Sequence, residues 1–123
     1  MFDESLVISI LKQIDNAIII ISRRFDTISN PNDFTDNPRG METLDSICMQ
    51  FIAIGEGLKN IDKITDNQLL SKYQGVDWKG FKGFRDVISH QYFDIDAEEV
   101  FWICDNELAK LSETIKMIIN ELC

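Results

Sequence analysis

The first fifth of the chain carries a long repeat of apolar residues spaced three and four positions apart. Because an α-helix turns about 100° per residue, this spacing gathers the apolar side chains on one face of a helix over about residues 3–28. Ile8, Ile19 and Ile20 widen that face, as expected for a helix that is central in its bundle or that touches a second subunit. The repeating residues are Leu6, Val7, Ile10, Leu11, Ile14, Ala17, Ile18, Ile21, Phe25 and Ile28.

The same helical spacing returns three more times along the chain. A second helix is predicted from about Met41 to Ile64, after a connection over residues 30–40, and residues 68–73 suit a short helix. A third follows Asp77, a plausible N-cap, with Phe81, Phe84, Val87 and Ile88 turned inward. The last begins near Ala97, because Asp96 and Glu99 fit the capping pattern, and its buried stripe includes Ile103. The sequence therefore predicts one domain over residues 1–123, an all-α antiparallel bundle of four to five helices.

Four glycines interrupt the helical pattern. Gly55 and Gly57 lie inside the second predicted helix, and Gly80 and Gly83 inside the third. Glycine costs a helix interior roughly 1 kcal/mol against alanine, so a packing reason is expected. At Gly55 and Gly57 either another helix approaches closely, which is the favoured interpretation, or the helix bends. At Gly80 and Gly83 we predict close contact between neighbouring backbones.

Charge and cysteine content restrict the classes of function. The net charge of −9 argues against a general nucleic-acid binder, yet residues 59–92 carry 6 basic and 4 acidic side chains, whereas residues 1–58 carry 4 and 9 and residues 93–123 carry 2 and 8. Three cysteines without CxxC spacing support neither a zinc site nor a disulfide framework. The acidic start and the lack of an apolar run near 18 residues predict a cytoplasmic protein without a membrane segment.

The segment from Arg85 to Tyr92 is the candidate functional motif. It contains His90, the single histidine of the chain, with an arginine five positions before it and a tyrosine two after. For RNA cleavage without a metal, an imidazole can move protons at the 2′-hydroxyl or the leaving 5′-oxygen, and a guanidinium can pair with the phosphate. Asp86, one turn before His90, could orient the imidazole and favour its protonated form.

Helix geometry leaves two ways of bringing Arg85 and His90 together. Five residues apart on a regular helix, they point well away from each other. They converge on one phosphate only if the helix loosens near Ser89 and His90, or if a second chain supplies the missing partner. A dimer with two facing motifs would also provide both an acid and a base. From spacing alone, an arginine and a histidine that merely stabilise a helix end are the commoner interpretation.

The chain resembles the HepT-like (DUF86) branch of the HEPN superfamily, small helical toxins encoded beside minimal nucleotidyltransferases. The resemblance covers most of the chain. The residues that carry it are Ile54-Gly55-Glu56, Trp78, Arg85-Asp86-Val87-Ile88-Ser89-His90-Gln91-Tyr92-Phe93, which matches the family's R-x4-H-x-Y, then Ile95-Asp96 and Val100-Phe101-Trp102.

The resemblance implies a metal-independent endoribonuclease toxin that needs no cofactor. In it, Arg85 and His90 of both chains of a homodimer would be the catalytic residues, lining a cleft between the subunits, with Asp86 in support. It also implies a cognate nucleotidyltransferase antitoxin, which in related systems transfers AMP to the motif tyrosine, here Tyr92. A second hypothesis from another class is a non-catalytic helical module that docks on a nucleotidyltransferase and regulates it.

Overall fold

The computed structural model describes residues 2–90 and 96–123, and over residues 85–90 it describes the helical backbone alone. Six α-helices and no strand are found in this part of the chain, so the all-α prediction is confirmed. A single 3₁₀ turn, Leu70–Lys72, precedes the fourth helix, and a π-helical turn, Ile103–Glu107, joins the last two. The helices are α1 (Glu4–Phe25), α2 (Asn32–Thr35), α3 (Pro38–Thr65), α4 (Trp78–His90), α5 (Ala97–Trp102) and α6 (Leu108–Leu122).

Helix α1 provides much of the core, as its apolar periodicity predicts. It begins after Asp3, whose carboxylate accepts a hydrogen bond from the Leu6 backbone N–H at 3.1 Å. Its inner face packs on α3 and α6. Ile28, three residues after the end of α1, is also buried in the core. The buried residues of α1 are Val7, Leu11, Ile14, Ala17, Ile18 and Ile21.

The prediction that no segment has the length and apolarity of a membrane span is wrong for α1. Its 22 residues include an 18-residue window with a mean hydropathy of 1.6, which meets the length and composition of a span. The core helix of a soluble protein and a signal sequence near an N-terminus meet the same criterion. In this fold the apolar stripe of α1 is covered by α3 and α6.

The connection predicted between the first two long helices contains structure of its own. Residues Asn32–Thr35 form α2, a single helical turn that buries the Phe34 ring completely. Helix α3 starts at Pro38, three residues before the predicted start, because the Asn37 side chain accepts the Gly40 N–H at 2.8 Å. Proline is favoured in the first turn of a helix, where its missing N–H costs no hydrogen bond.

The last helical segment confirms the predicted start and most of the predicted stripe, except that Ile103 and Leu122 are only partly buried. Asp96 Oδ1 accepts hydrogen bonds from the N–H groups of Glu98 and Glu99 at 3.0 and 3.2 Å. Val100, Cys104 and Leu108 are buried at intervals of four residues, and Cys104 takes the inward position predicted for Ile103. An interval of four exceeds the 3.6 residues of an α-helical turn, and the wider π turn absorbs the difference.

Two of the four glycines meet the packing prediction and two do not. A Cβ on Gly55 would lie 2.8 Å from the Phe81 carbonyl oxygen of α4, and a Cβ on Gly57 would lie 3.0 Å from the Ile14 side chain of α1. A Cβ on Gly80 would meet only the Asp77 carboxylate that caps its own helix. At Gly83 a Cβ would have no neighbour within 4 Å among the described atoms.

Replacing Gly55 by alanine is expected to lower the free energy of unfolding by about 1–3 kcal/mol, because the added methyl group presses on the backbone of α4. Gly83→Ala is the matched control, and it is expected to stabilise the protein by up to about 1 kcal/mol through helix propensity alone. Urea denaturation followed by circular dichroism measures both. Equal effects of the two substitutions would contradict a close approach of the helices at Gly55.

Candidate functional site

The predicted site residues Arg85, Asp86 and His90 lie in the second half of α4, and their side chains are outside the described part of the structure. Tyr92 also lies outside the described residues, as do the side chains of Val87 and Ile88. The position of the motif is set by the α4 backbone and by the residues that hold it against the bundle.

The backbone of α4 is α-helical from Trp78 through His90. On such a helix the five residues from Arg85 to His90 correspond to about 500° of rotation, so the two positions differ by about 140° around the axis. They are separated by about 7.5 Å along it. The backbone is still helical at Ser89 and His90, so the helix does not loosen there. The positions of Arg85 and His90 therefore stay on different sides of α4.

The start of α4 is fixed by hydrogen bonds on both sides of Asp77. The Asp77 carboxylate accepts the Gly80 N–H at 3.0 Å, which confirms it as the cap, and the Trp78 indole N–H donates to the Tyr73 carbonyl at 2.8 Å. The Tyr73 hydroxyl in turn donates to Glu121 near the end of α6. Burial, followed by this hydrogen bond and the Glu121 charge, raises the pKa of Tyr73 to about 12. Tyr73 thus remains a neutral donor at neutral pH.

Aromatic packing fixes the middle of α4 on α3. The Phe51 ring of α3 lies 4.9 Å from the Phe84 ring and 6.2 Å from the Phe81 ring, measured between centroids. Gly55, one turn after Phe51, meets the α4 backbone at Phe81, so α4 runs antiparallel to α3. Arg85 directly follows Phe84 in the chain, so this packing sets the position of the helix on which the motif begins.

An ion pair also joins the middle of α4 to the C-terminal part of α3. The Lys82 ammonium lies 2.5 Å from an Asp62 carboxylate oxygen. Both side chains are partly exposed, so the pair contributes at most about 1 kcal/mol to stability. The main effect of this ion pair is to direct the Lys82 ammonium of α4 towards the C-terminal end of α3.

From its place between Gly55 and Gly57, Glu56 is expected to be a solvent or interface charge and not a catalytic acid. Its side chain is 39% exposed and lies 4.0 Å from Lys59 one turn later, which agrees with a surface position.

The described residues contain no group of three or more His, Cys, Asp or Glu side chains that could hold a metal ion. Cys48 and Cys104 are free and buried, whereas Cys123 is free and exposed. Burial raises the pKa of the Cys48 thiol to about 12, with a smaller effect of Asp45. Burial also raises the pKa of Cys104 to about 12, with smaller effects of Cys48 and Asp105. Both buried thiols are therefore protonated at neutral pH and unsuited to nucleophilic chemistry.

The fold and the motif helix define the class of the protein: an all-α bundle in which an Arg-x4-His sequence lies on a helix anchored to the longest helix of the domain. A family model described as "Ribonuclease HepT-like" matches residues 14–118. The chain therefore belongs to the ribonuclease HepT-like family, as its sequence resemblance predicts.

Three relatives illustrate the similarity. "Putative RNase MJ0127" of Methanocaldococcus jannaschii is 29% identical over 105 residues, which is 84% of this chain and 84% of that protein. "Gamma-glutamylcyclotransferase and putative RNase MJ0434" of the same organism is 30% identical over 63% of this chain and 33% of its own length. "Putative RNase TTE0752" of Caldanaerobacter subterraneus subsp. tengcongensis is 29% identical over 55% of this chain and 57% of its own. No solved structure matches the chain significantly.

Proposed function

We infer that this protein is a metal-independent endoribonuclease toxin in which Arg85 and His90 cleave RNA at the interface of a homodimer. The inference rests mainly on one observation: a chain of the ribonuclease HepT-like family carries Arg-x4-His on a helix that is regular through His90 and anchored to the core. The RNase names of its relatives support the reaction class.

The chemistry follows from the side chains of the motif. An imidazole such as that of His90 can take the proton of the 2′-hydroxyl or give one to the leaving 5′-oxygen. The Arg85 guanidinium is charged at any working pH and suits the non-bridging oxygens of a phosphate, where the transition state gains charge. Asp86, four residues before His90, would orient the imidazole.

The homodimer is part of the proposal for a geometric reason. Because the α4 backbone is regular, Arg85 and His90 of one chain start from positions about 140° apart. A second α4 facing the first would provide each cleft with a guanidinium and an imidazole from opposite chains. It would also provide two imidazoles, one for the acid and one for the base.

We also propose that a cognate nucleotidyltransferase antitoxin regulates this toxin in the cytoplasm. Transfer of AMP to Tyr92 would place a bulky anionic group two residues from His90, where it would compete with the RNA phosphate for Arg85. This is a toxin–antitoxin pair of the type VII kind, in which the partner silences the toxin chemically.

A second function, a non-catalytic module that docks on a nucleotidyltransferase, is favoured by the acidic body and by exposed apolar side chains. Leu6 and Ile19 of α1 are 46% and 38% exposed, and Trp102 of α5 is 53% exposed. Such side chains suit a contact with another protein.

Cleavage of RNA in excess EDTA separates the two functions. Purified, unmodified protein is expected to cleave single-stranded RNA under these conditions and to leave 2′,3′-cyclic phosphate ends, because the 2′-hydroxyl is the nucleophile and no metal takes part. Mass spectrometry of the products measures the ends. The binding module predicts intact RNA and a stable complex with the nucleotidyltransferase, and cleavage that starts only on addition of a divalent metal would contradict the proposed mechanism.

A further inference from the structure

A cluster of lysines surrounds the ion pair that joins α3 to α4. Lys59 precedes Asp62 by three residues and Lys63 by four, so these three side chains share one face of α3. On α4, Lys79 precedes Lys82 by three residues and shares its face. Since Lys82 reaches Asp62 at 2.5 Å, the two faces adjoin. We name Lys59, Lys63, Lys72, Lys79 and Lys82 the basic track.

Lys72 belongs to the track through the connection between the two helices. It ends the 3₁₀ turn that follows α3, and the next residue, Tyr73, accepts the hydrogen bond of the Trp78 indole at 2.8 Å. That bond ties the turn to the first residue of α4. Lys63, Lys72 and Lys79 are all exposed, so their ammonium groups are accessible to a ligand.

The acidic groups within the track are mostly committed to structural contacts. Residues 59–82 contain 5 lysines and 3 aspartates, while the rest of the chain has 7 basic and 18 acidic side chains. Asp62 is bound to Lys82, Asp77 caps α4, and Glu56, just outside this segment, lies 4.0 Å from Lys59. The positive excess of this region is therefore carried by exposed lysines on an otherwise acidic molecule.

The track leads along α4 to the motif. Arg85 follows Lys82 by one helical turn, and Lys79 and Arg85 are about 9 Å apart along the axis and about 120° apart around it, so the track winds around α4 towards Arg85. We propose that the basic track binds the sugar–phosphate backbone of single-stranded RNA beside the cleavage site and holds it without reading sequence. This proposal rests on the proposed function, because it assigns RNA as the ligand of α4.

Lysine side chains on flexible stems suit this role. They contact phosphates as point charges, which gives affinity that depends on salt and little on base identity. A local positive region on an acidic body would also restrict RNA binding to the surface that adjoins Arg85, since phosphates are repelled elsewhere. An acidic protein partner is the competing ligand, and the experiment below distinguishes it.

The test is binding of a mixed-sequence 2′-O-methyl oligoribonucleotide, which cannot undergo attack by a 2′-hydroxyl, so the measurement does not require cleavage. The variant is Lys63→Gln/Lys72→Gln/Lys79→Gln, and the matched control is Lys12→Gln/Lys110→Gln/Lys116→Gln, which removes three exposed lysines from α1 and α6. Fluorescence anisotropy across a salt series is expected to show about tenfold weaker binding for the track variant. The slope of log affinity against log salt should fall by about 2, since each lost contact to a single strand is worth about 0.7.

Equal binding by the track variant and the control variant would overturn the proposal. Loss of nucleotidyltransferase binding by the track variant, with RNA binding unchanged, would also overturn it and assign the surface to a protein partner. If the proposed nuclease function is wrong, the wild-type protein itself will cleave no RNA. With an active nuclease, the track variant should lose cleavage of long RNA while retaining cleavage of a dinucleotide.

Discussion

Replacing His90 by alanine is expected to lower the rate of RNA cleavage by about 10²–10⁴-fold, because the substitution removes the imidazole that moves protons in both chains of a dimer. Arg85→Ala is expected to lower it by about 10²-fold or more, because the developing phosphate charge loses its charged hydrogen-bond donor. Single-turnover cleavage of a labelled RNA measures both rates. Growth inhibition on expression should be lost in parallel.

The control for these variants is Arg23→Ala, which removes an exposed arginine from the last turn of α1. It should cleave RNA at the wild-type rate. Thermal melting and sedimentation should show that all three variants keep the fold and the oligomeric state of the wild type. If His90→Ala and Arg85→Ala lost stability together with cleavage, the two residues would instead support the end of the helix.

Replacing Phe51 by alanine is expected to lower the free energy of unfolding by about 3–5 kcal/mol. The ring is almost fully buried and contacts Phe81 and Phe84 of α4, so its removal leaves a cavity between α3 and α4. A loss of this size is a large part of the about 5–15 kcal/mol that stabilises a typical domain. Urea denaturation monitored by circular dichroism measures the change.

Met49→Ala is the control for this cavity, because Met49 lies on the same helix two residues earlier and is 65% exposed. It should change the free energy of unfolding by no more than about 0.5 kcal/mol. The contact also predicts a functional effect. Phe51→Ala should reduce RNA cleavage at temperatures where the variant is folded, because Phe84 directly precedes Arg85. Wild-type cleavage by folded Phe51→Ala protein would show that this packing does not position the motif.

The site could be predicted from the sequence only in its chemistry. Arg85, Asp86, His90 and Tyr92 stand out because their side chains are of the types that handle a phosphodiester and because their spacing matches a family motif. Which residues of α3 hold the motif helix in place could not be predicted from the sequence. Phe51 and Asp62 lie twenty or more residues before their partners on α4, and no local spacing shows which aromatic ring or which lysine each one meets.

The sequence alone determined the features that depend on neighbours along the chain. Apolar periodicity defined the long helices, and short-range side-chain hydrogen bonds defined the caps at Asp77 and Asp96. These signals act within about one helical turn, so they are readable without the fold.

Tertiary structure alone decided the features that depend on which surfaces meet. Burial of Phe34 accompanies a helical turn in a segment without periodicity, and the π turn adjusts the inward face of the last helix so that Cys104 replaces Ile103. Only the contact between α3 and α4 explains why Gly55 cannot carry a side chain while Gly83 can. Such outcomes require the free energy of packing between distant segments, which outweighs local preference and leaves no short-range pattern in the sequence.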